Sequence, residues 1–382
     1  MKNSSPLRIL HLVAIRGKGG TGASTLSLVE GLADRGHKVA VVCFKRGLLY
    51  KSLKDKGKVE LITGIKMAPG LRVHHWIKDL LKLKPFVDEF KPHLIHCHSS
   101  PDYWLGFLLS LVTGVPLVRT RHVPVPLKPH AFNRFLFWKT AAVVAVSHAV
   151  GDRYFTGVGW RPEKVRVIYD GVDTRRFNPR VDGEEIRKKL GISREEILIG
   201  SIARYSKVKG LPYFLEALEK LMAKYSRVRG LIVGRVKSRS LYERLKERLE
   251  ERELEERVTL WEHQDRVEEI SAALDIAVLS SVGSEGSSRV ALEVGASGKP
   301  LVATRVGALP EIVVLGKTGY IVPPRDVESQ FRFLELLLPP FPRKELGLNA
   351  KRRVAGLFPA ERFVVKMESL YRGILEESED LG

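Results

Sequence analysis

A chain of 382 residues is too long for one ordinary core and suits two domains of usual size. Its 44% hydrophobic content excludes a disordered or fibrous polymer, and two cysteines, Cys43 and Cys97, both inside apolar runs, exclude a disulfide framework. The net charge of +20 is one-sided: residues 1–180 hold 30 Lys and Arg against 12 Asp and Glu, residues 181–382 hold 34 against 32. The first half is therefore expected to meet a polyanion (membrane phospholipid, a phosphorylated glycolipid or nucleic acid), while the second reads as a charge-dense surface of both signs.

The opening MKNSSPLRILHLVAIRG has too short an apolar run for a signal peptide. The longest apolar stretch, YWLGFLLSLVTGVPLV, is broken by Gly106, Gly114 and Pro116 and falls short of a membrane span. A cytoplasmic protein is expected. RILHLVAI (8–15) reads as a buried strand, and residues 17–44 as glycine loop, amphipathic helix and strand, the first βαβ of a doubly wound domain. The loop GKGGTGAS matches a phosphate-binding P-loop except that Ala23 stands where the lysine belongs. An ATPase is thereby disfavoured, and a glycine backbone approaching a ligand is the better reading.

A lysine-rich helical region (51–58), VELI and a helix from HHWIKDLL follow, and HLIHCHSS (93–100) ends a strand. The His96-x-His98 spacing fits a metal, but no carboxylate or third histidine lies beside it, so no metal is expected and a position at the C-terminal edge of the sheet, near a cleft, is preferred. Next come a helix, the strand PLVRTRH ending in His122, and a helix with Phe132, Phe135, Phe137 and Trp138 among Lys128, Arg134 and Lys139. That helix could lie on a membrane, though core packing is the stronger reading. VRVIYDG (165–171) closes the domain, and the pattern restarts at ILIGSIAR (197–204). Two facing Rossmann-like α/β domains are expected, 1–178 and 179–358, followed by a helical tail, 359–382.

In open parallel sheets ligands sit beyond the carboxyl ends of the strands. Here those ends supply Gly19, Gly20, His122, Arg204 through Lys209, and Glu285. Arg204 and Lys209 could neutralise a pyrophosphate, although surface charge is the commoner fate of such a pair. After Glu285, Ser287 or Ser288 suits a helix N-cap, and Gly298 and Pro300 fit the helix end. The amides of Ser288, Arg289 and Val290 would then form an anion site. Glu285 and Glu293 flank it, which makes sense for a ligand carrying hydroxyls as well as phosphates.

SIARYSKVKG, then EGSSRVALEVGASGKPLVATRVGALPEIV with its Glu-x7-Glu spacing, then GKTGYIVPPRD, resemble glycosyltransferase family 4. The glycine loop, HLIHCH, TRH, VSHAV and VIYDGVDTRRF match it in the same order, from Arg8 to about Arg372. The resemblance implies a GT-B fold whose C-terminal helix crosses back to the first domain. It also implies a nucleotide-sugar donor, a UDP-sugar foremost, in the interdomain cleft and retaining transfer with no cofactor or metal. Arg204 and Lys209 resemble its diphosphate-binding pair, Glu293 its ribose-binding acid and Glu285 the acid at the donor sugar. Gly19 and Gly20 resemble its N-terminal loop, His122 its histidine near the transferred sugar, and Trp261-Glu262-His263 the loop beside the base. Ser287 and Ser288 depart from the family's more frequent aromatic and glycine.

The expected activity is hexose or N-acetylhexosamine transfer to a glycolipid or cell-envelope polysaccharide such as a lipopolysaccharide core. The basic first domain would sit peripherally on the inner face of the cytoplasmic membrane, with no nucleic-acid partner. A soluble or glucan acceptor on the same fold, and a non-catalytic ATP-binding partitioning protein, are the alternatives.

Overall fold

The structure, a computed structural model, describes residues 5–17, 19–70, 72–128, 130–156 and 163–379. It forms two compact units, residues 1–171 with 360–382, and Val172–Pro359.

Short, nearly uniform apolar segments make the first sheet: β1 (Arg8–Val13), β2 (Lys38–Cys43), β3 (Glu60–Ile62), β4 (Leu94–Cys97), β5 (Leu117–Arg121), β6 (Ala142–Ala145) and β7 (Val165–Val167). β1, β2, β4, β5 and β6 are buried along nearly their whole length, as strands covered on both faces must be. All pairings are parallel, in the order β3-β2-β1-β4-β5-β6-β7, so the chain reverses direction between β1 and β4. One face is covered by helices Gly20–Asp34 and Ala360–Glu379, whose Leu28, Leu32, Phe363, Met367 and Tyr371 share a core with Ile9 and Val41. Helices Val73–Phe90, Ser100–Thr113 and Ala131–Lys139 supply Leu83, Phe107 and Leu136 to the other face.

The C-terminal helix thus returns to the first unit. Val364 packs so closely on the helix Gly20–Asp34 that a Cβ on Gly31 would meet it at 2.4 Å. Glu368 fastens the contact, accepting from Arg35 and Arg372.

The second unit repeats the design with β8 (Ile197–Ile202), β9 (Val228–Val233), β10 (Val258–Trp261), β11 (Ile276–Leu279), β12 (Leu301–Thr304) and β13 (Gly319–Val322). The order is β10-β9-β8-β11-β12-β13, again parallel, with the reversal between β8 and β11. Helices Leu211–Lys224 and Val327–Leu336 lay Phe214, Leu218 and Leu334 on Ile199 and Val302. Both cysteines are buried thiols. Burial pushes Cys43 up to about 11, and Cys97 is raised well above its ordinary range. No helix among the described residues is long and apolar enough to cross a membrane.

Candidate active site

The reversal points leave a crevice at the carboxyl ends of their strands, and each unit gathers polar residues there. In the second unit the loop after β8 makes a single 3-10 turn, Lys207–Lys209, and ends on Gly210 with φ of +61°. A Cβ on Gly210 would lie 2.0 Å from the Ser280 carbonyl oxygen, so only glycine lets this loop close on the end of β11. Val282 N–H donates to the Val208 carbonyl at 2.9 Å and joins the two loops.

That closure brings Lys209 onto Glu285. Lys209 Nζ donates to Glu285 Oε1, with the two side chains only 15% and 6% exposed. Ser281 Oγ donates to the same oxygen, and Ser288 Oγ donates to Oε2 at 3.0 Å. A carboxylate offers about four acceptor positions. Three donors fill all but one, on Oε2, so a single hydroxyl can still be received. Gly307, at φ +53°, permits the close pass of the next loop, since a Cβ there would sit 1.8 Å from the Glu285 carbonyl. Ala308 N–H bonds that carbonyl at 2.9 Å.

Ser288, one of the serine pair, is explained by this geometry. Ser288 is the N-cap of the helix Arg289–Ala296, but its side chain caps no amide, contrary to the expectation for a serine there. Its backbone is left-handed, φ 47° and ψ 47°, a conformation that glycine adopts without cost. The hydroxyl turns instead to Glu285. Helix Arg289–Ala296 therefore starts without a side-chain cap and directs the positive end of its dipole out of the β11 loop.

Glu293 does not flank that helix start but lies inside the helix, where Arg289 Nε donates to Oε1 at 2.9 Å. Burial raises its carboxyl above the ordinary range, opposed by Arg289 and by Arg176. Arg176, in turn, bonds Glu268 at 2.7 Å. Arg204 is exposed and has no ion pair or hydrogen bond from its side chain among the described residues. His263 is half-exposed, 3.5 Å from Asp265. The preceding Trp261 carbonyl accepts from the fully buried Tyr205 hydroxyl at 3.1 Å, which ties the loops after β8 and β10 together. Structure thus joins Lys209 and Ser288 through Glu285, and leaves Arg204 at the end of β8 and His263 at the end of β10, two strands away in the sheet.

In the first unit Gly19 is the N-cap of helix Gly20–Asp34 and a Cβ on it would meet nothing within 4 Å. Its lack of a side chain leaves open backbone and serves no internal packing. The neighbouring Lys18 lies outside the described residues, as does the side chain of Phe132.

Four histidines stack across the strand ends. His11 on β1 pairs in register with His96 on β4, and its Nδ1 lies 3.0 Å from His98 Nε2. This corrects the expectation that no third histidine stands beside the His-x-His pair: one ligand atom from each of His11, His96 and His98 comes within 4.8 Å of the others. His96 stands near the C-terminal end of β4, where Tyr371 and Thr120 hydroxyls lie 2.7 Å from its two ring nitrogens. Both nitrogens of His96 are engaged and the three rings are buried together, while His11 Nε2 has no partner among the described residues. Burial pushes His11 down to about 3 and holds His96 and His98 well below the ordinary range, so the rings are neutral near pH 7.

His122 is different. It is buried, yet neither ring nitrogen has a partner among the described residues. Burial lowers its pKa, Asp170 opposes that, and Arg121 adds to it. Asp170, which reads from the sequence as part of a turn, is 1% exposed, takes the Ser24 hydroxyl on Oδ1 at 2.5 Å and leaves Oδ2 without a partner. Orphaned buried polar atoms are costly, and such a set invites the hydroxyl groups of a ligand.

Comparison with known proteins agrees with this architecture. The chain is 25% identical over 378 residues to the N-acetyl-alpha-D-glucosaminyl L-malate synthase of Bacillus anthracis, covering 95% of this chain and 96% of that one. A glycosyltransferase from Rickettsia africae superposes with a TM-score of 0.89 at 21% identity, over 97% and 99% of the chains. The Anabaena HepE protein, solved with UDP and glucose, superposes with a TM-score of 0.81 at 21% identity, over 95% and 98%. The fold is therefore GT-B. The model described as Glycosyltransferase Family 4 matches residues 18–176, and Glycosyl transferases group 1 matches residues 182–353. An ATP-binding partitioning protein, which the glycine loop alone could have meant, has no place in that result, and the chain belongs to glycosyltransferase family 4 as a sugar-transferring enzyme.

Proposed function

We propose that this enzyme moves a hexose or N-acetylhexosamine from a nucleotide-diphosphate sugar, a UDP-sugar foremost, to a glycolipid or cell-envelope glycan, with retention of configuration. The observation that carries the reading is the Lys209–Glu285 pair with its two serine donors at the β8/β11 reversal. Lys209, the Arg204 fork and the dipole of helix Arg289–Ala296 form preorganised positive charge for a leaving diphosphate, the element that most lowers the barrier to departure. The last acceptor position on Glu285 takes a hydroxyl of the donor sugar, Glu293 the ribose, and the 261–263 loop the base. Gly19 and Gly20 approach phosphate and acceptor through backbone, and neutral His122 hydrogen-bonds the sugar being transferred. With leaving-group stabilisation supplied by fixed charge, the acceptor enters on the face the diphosphate leaves.

Relatives with diverse acceptors are compatible with this assignment, among them an Escherichia coli galactosyltransferase named for a diphosphoundecaprenol acceptor, matched over 57% of this chain. A lipid-side acceptor is favoured by helix Val73–Phe90, on which Val73, Ile77 and Leu81 are 52%, 47% and 68% exposed with Lys78 and Lys82 beside them. In thermal-shift assays, UDP-, GDP- or ADP-sugars should stabilise the protein more than Mg-ATP does. Sedimentation with phosphatidylglycerol vesicles but not phosphatidylcholine vesicles is the expected membrane result. Failure to bind either vesicle moves the acceptor to a soluble compound, and a preference for Mg-ATP removes the donor assignment.

A further inference from the structure

The first unit holds a second concentration of positive charge. Residues following β1, β2 and β3 line a cleft of about 540 Å³: Arg16, Phe44, Lys45, Lys66 and Arg72, with His75 from the first turn of helix Val73–Phe90. No acidic side chain is among its lining residues. The two arginines and two lysines are exposed and have no ion pair among the described residues, so the cleft mouth is positively charged.

The loop that carries Lys66 and leads to Arg72 is firmly held. Asp79, 2% exposed, accepts from the Lys66 amide at 3.0 Å and the Met67 amide at 2.8 Å. Trp76 Nε1 donates to the Ala68 carbonyl at 3.3 Å, and its ring stacks on Trp104 at 5.0 Å. These bonds hold a loop that turns three times through left-handed backbone, at Gly64, Met67 and Gly70. At Met67, a residue with a side chain, this conformation costs about 1–2 kcal/mol and persists only where surrounding contacts over-determine it. Arg16 lies 4.5 Å from the Phe44 ring centroid, which orients its guanidinium. His75 Nδ1 is buried without a partner. Burial, then His74, Lys66 and Arg72, hold that imidazole below its ordinary range.

We propose that this cleft is an anion subsite that receives a phosphate or carboxylate group of the acceptor, with Arg16 and Arg72 as forks and Lys45 and Lys66 as point charges. The assignment of the anion to the acceptor rests on the transferase reading. The Phe44 ring orients Arg16, and the bonds to Asp79 fix the backbone that carries Lys66, before ligand arrives, which lowers the ordering cost of binding.

Imidazole NMR of the full chain tests it, with the His75 resonance identified by His75→Gln. Inorganic phosphate, glycerol 3-phosphate and dihexanoyl phosphatidic acid are the probes. Each bound anion should raise the His75 pKa, and Lys66→Gln/Arg72→Gln should weaken the response tenfold or more. A response to glycerol phosphate assigns a soluble acceptor, and one confined to the short-chain lipid assigns a lipid-borne acceptor. No shift with any probe, or an equal response in the double variant, overturns the subsite. Neither result touches the donor side, which nucleotide-sugar stabilisation reads separately.

Discussion

Lys209→Met is the substitution that separates stability from chemistry. In the folded chain its ammonium meets Glu285 with both side chains largely out of water. Removing one member of a buried pair costs about 3–5 kcal/mol, because the other is left buried and uncompensated. Ser281 and Ser288 still donate to Glu285, and the Lys209 side chain is 15% exposed, which places the expected loss at the low end, about 3 kcal/mol. Adding Glu285→Gln removes the orphaned charge, and the double variant should recover about 2 kcal/mol of that loss. Catalysis should not recover, because neither variant has the cation at the diphosphate. Turnover of the best nucleotide sugar should fall at least about 100-fold in both. Hydrogen exchange of β8 and β11 under urea reads the stability of the second unit alone, and nucleotide release reads turnover. A folded Lys209→Met enzyme turning over within fivefold of the parent refutes the catalytic role. A double variant no more stable than the single refutes the electrostatic account of the pair.

Two further outcomes follow from particular bonds. Ser288→Gly removes the hydroxyl bond to Glu285 but also the left-handed cost of about 1 kcal/mol, whereas Ser288→Ala removes the bond and keeps the cost. The alanine variant should unfold about 1 kcal/mol more easily in urea; equal midpoints would mean that the backbone there is unstrained. Glu368, held by Arg35, Arg372 and His37 despite its partial burial, has its carboxyl lowered to about 2. A depressed acid contributes stability above its unfolded pKa near 4.5 and loses it as pH falls toward 2. Protease sensitivity of helix Ala360–Glu379 should therefore rise between pH 4.5 and 2, and Glu368→Gln should flatten that rise.

What could be read from the sequence was what has a period or a spacing. Uniform apolar runs between amphipathic helices gave both parallel sheets, and the strand-end rule pointed to Lys209 and Glu285. The partners of those residues were not legible. Ser281 is one serine among many, and nothing in EGSS shows that Ser288 takes a left-handed turn and donates its hydroxyl backward. His11 stands 87 residues before His98, and Tyr371 stands 275 after His96, so no local spacing announces either contact. Asp170 reads as a turn residue because turns favour aspartate, and only the fold buries it against Ser24.

The returning helix bears on how the polypeptide is made. Val172–Pro359 is one continuous span and can collapse as soon as it leaves the ribosome. The first unit cannot, since Phe363, Val364, Met367, Tyr371 and Ile374 belong to the same core as Leu28, Leu32 and Val41. Residues made first must wait, one apolar face uncovered, while some 190 later ones are synthesised, about 10–40 s at ordinary elongation rates. The earliest-made half is thus finished last, and that interval is when the nascent chain most needs a chaperone.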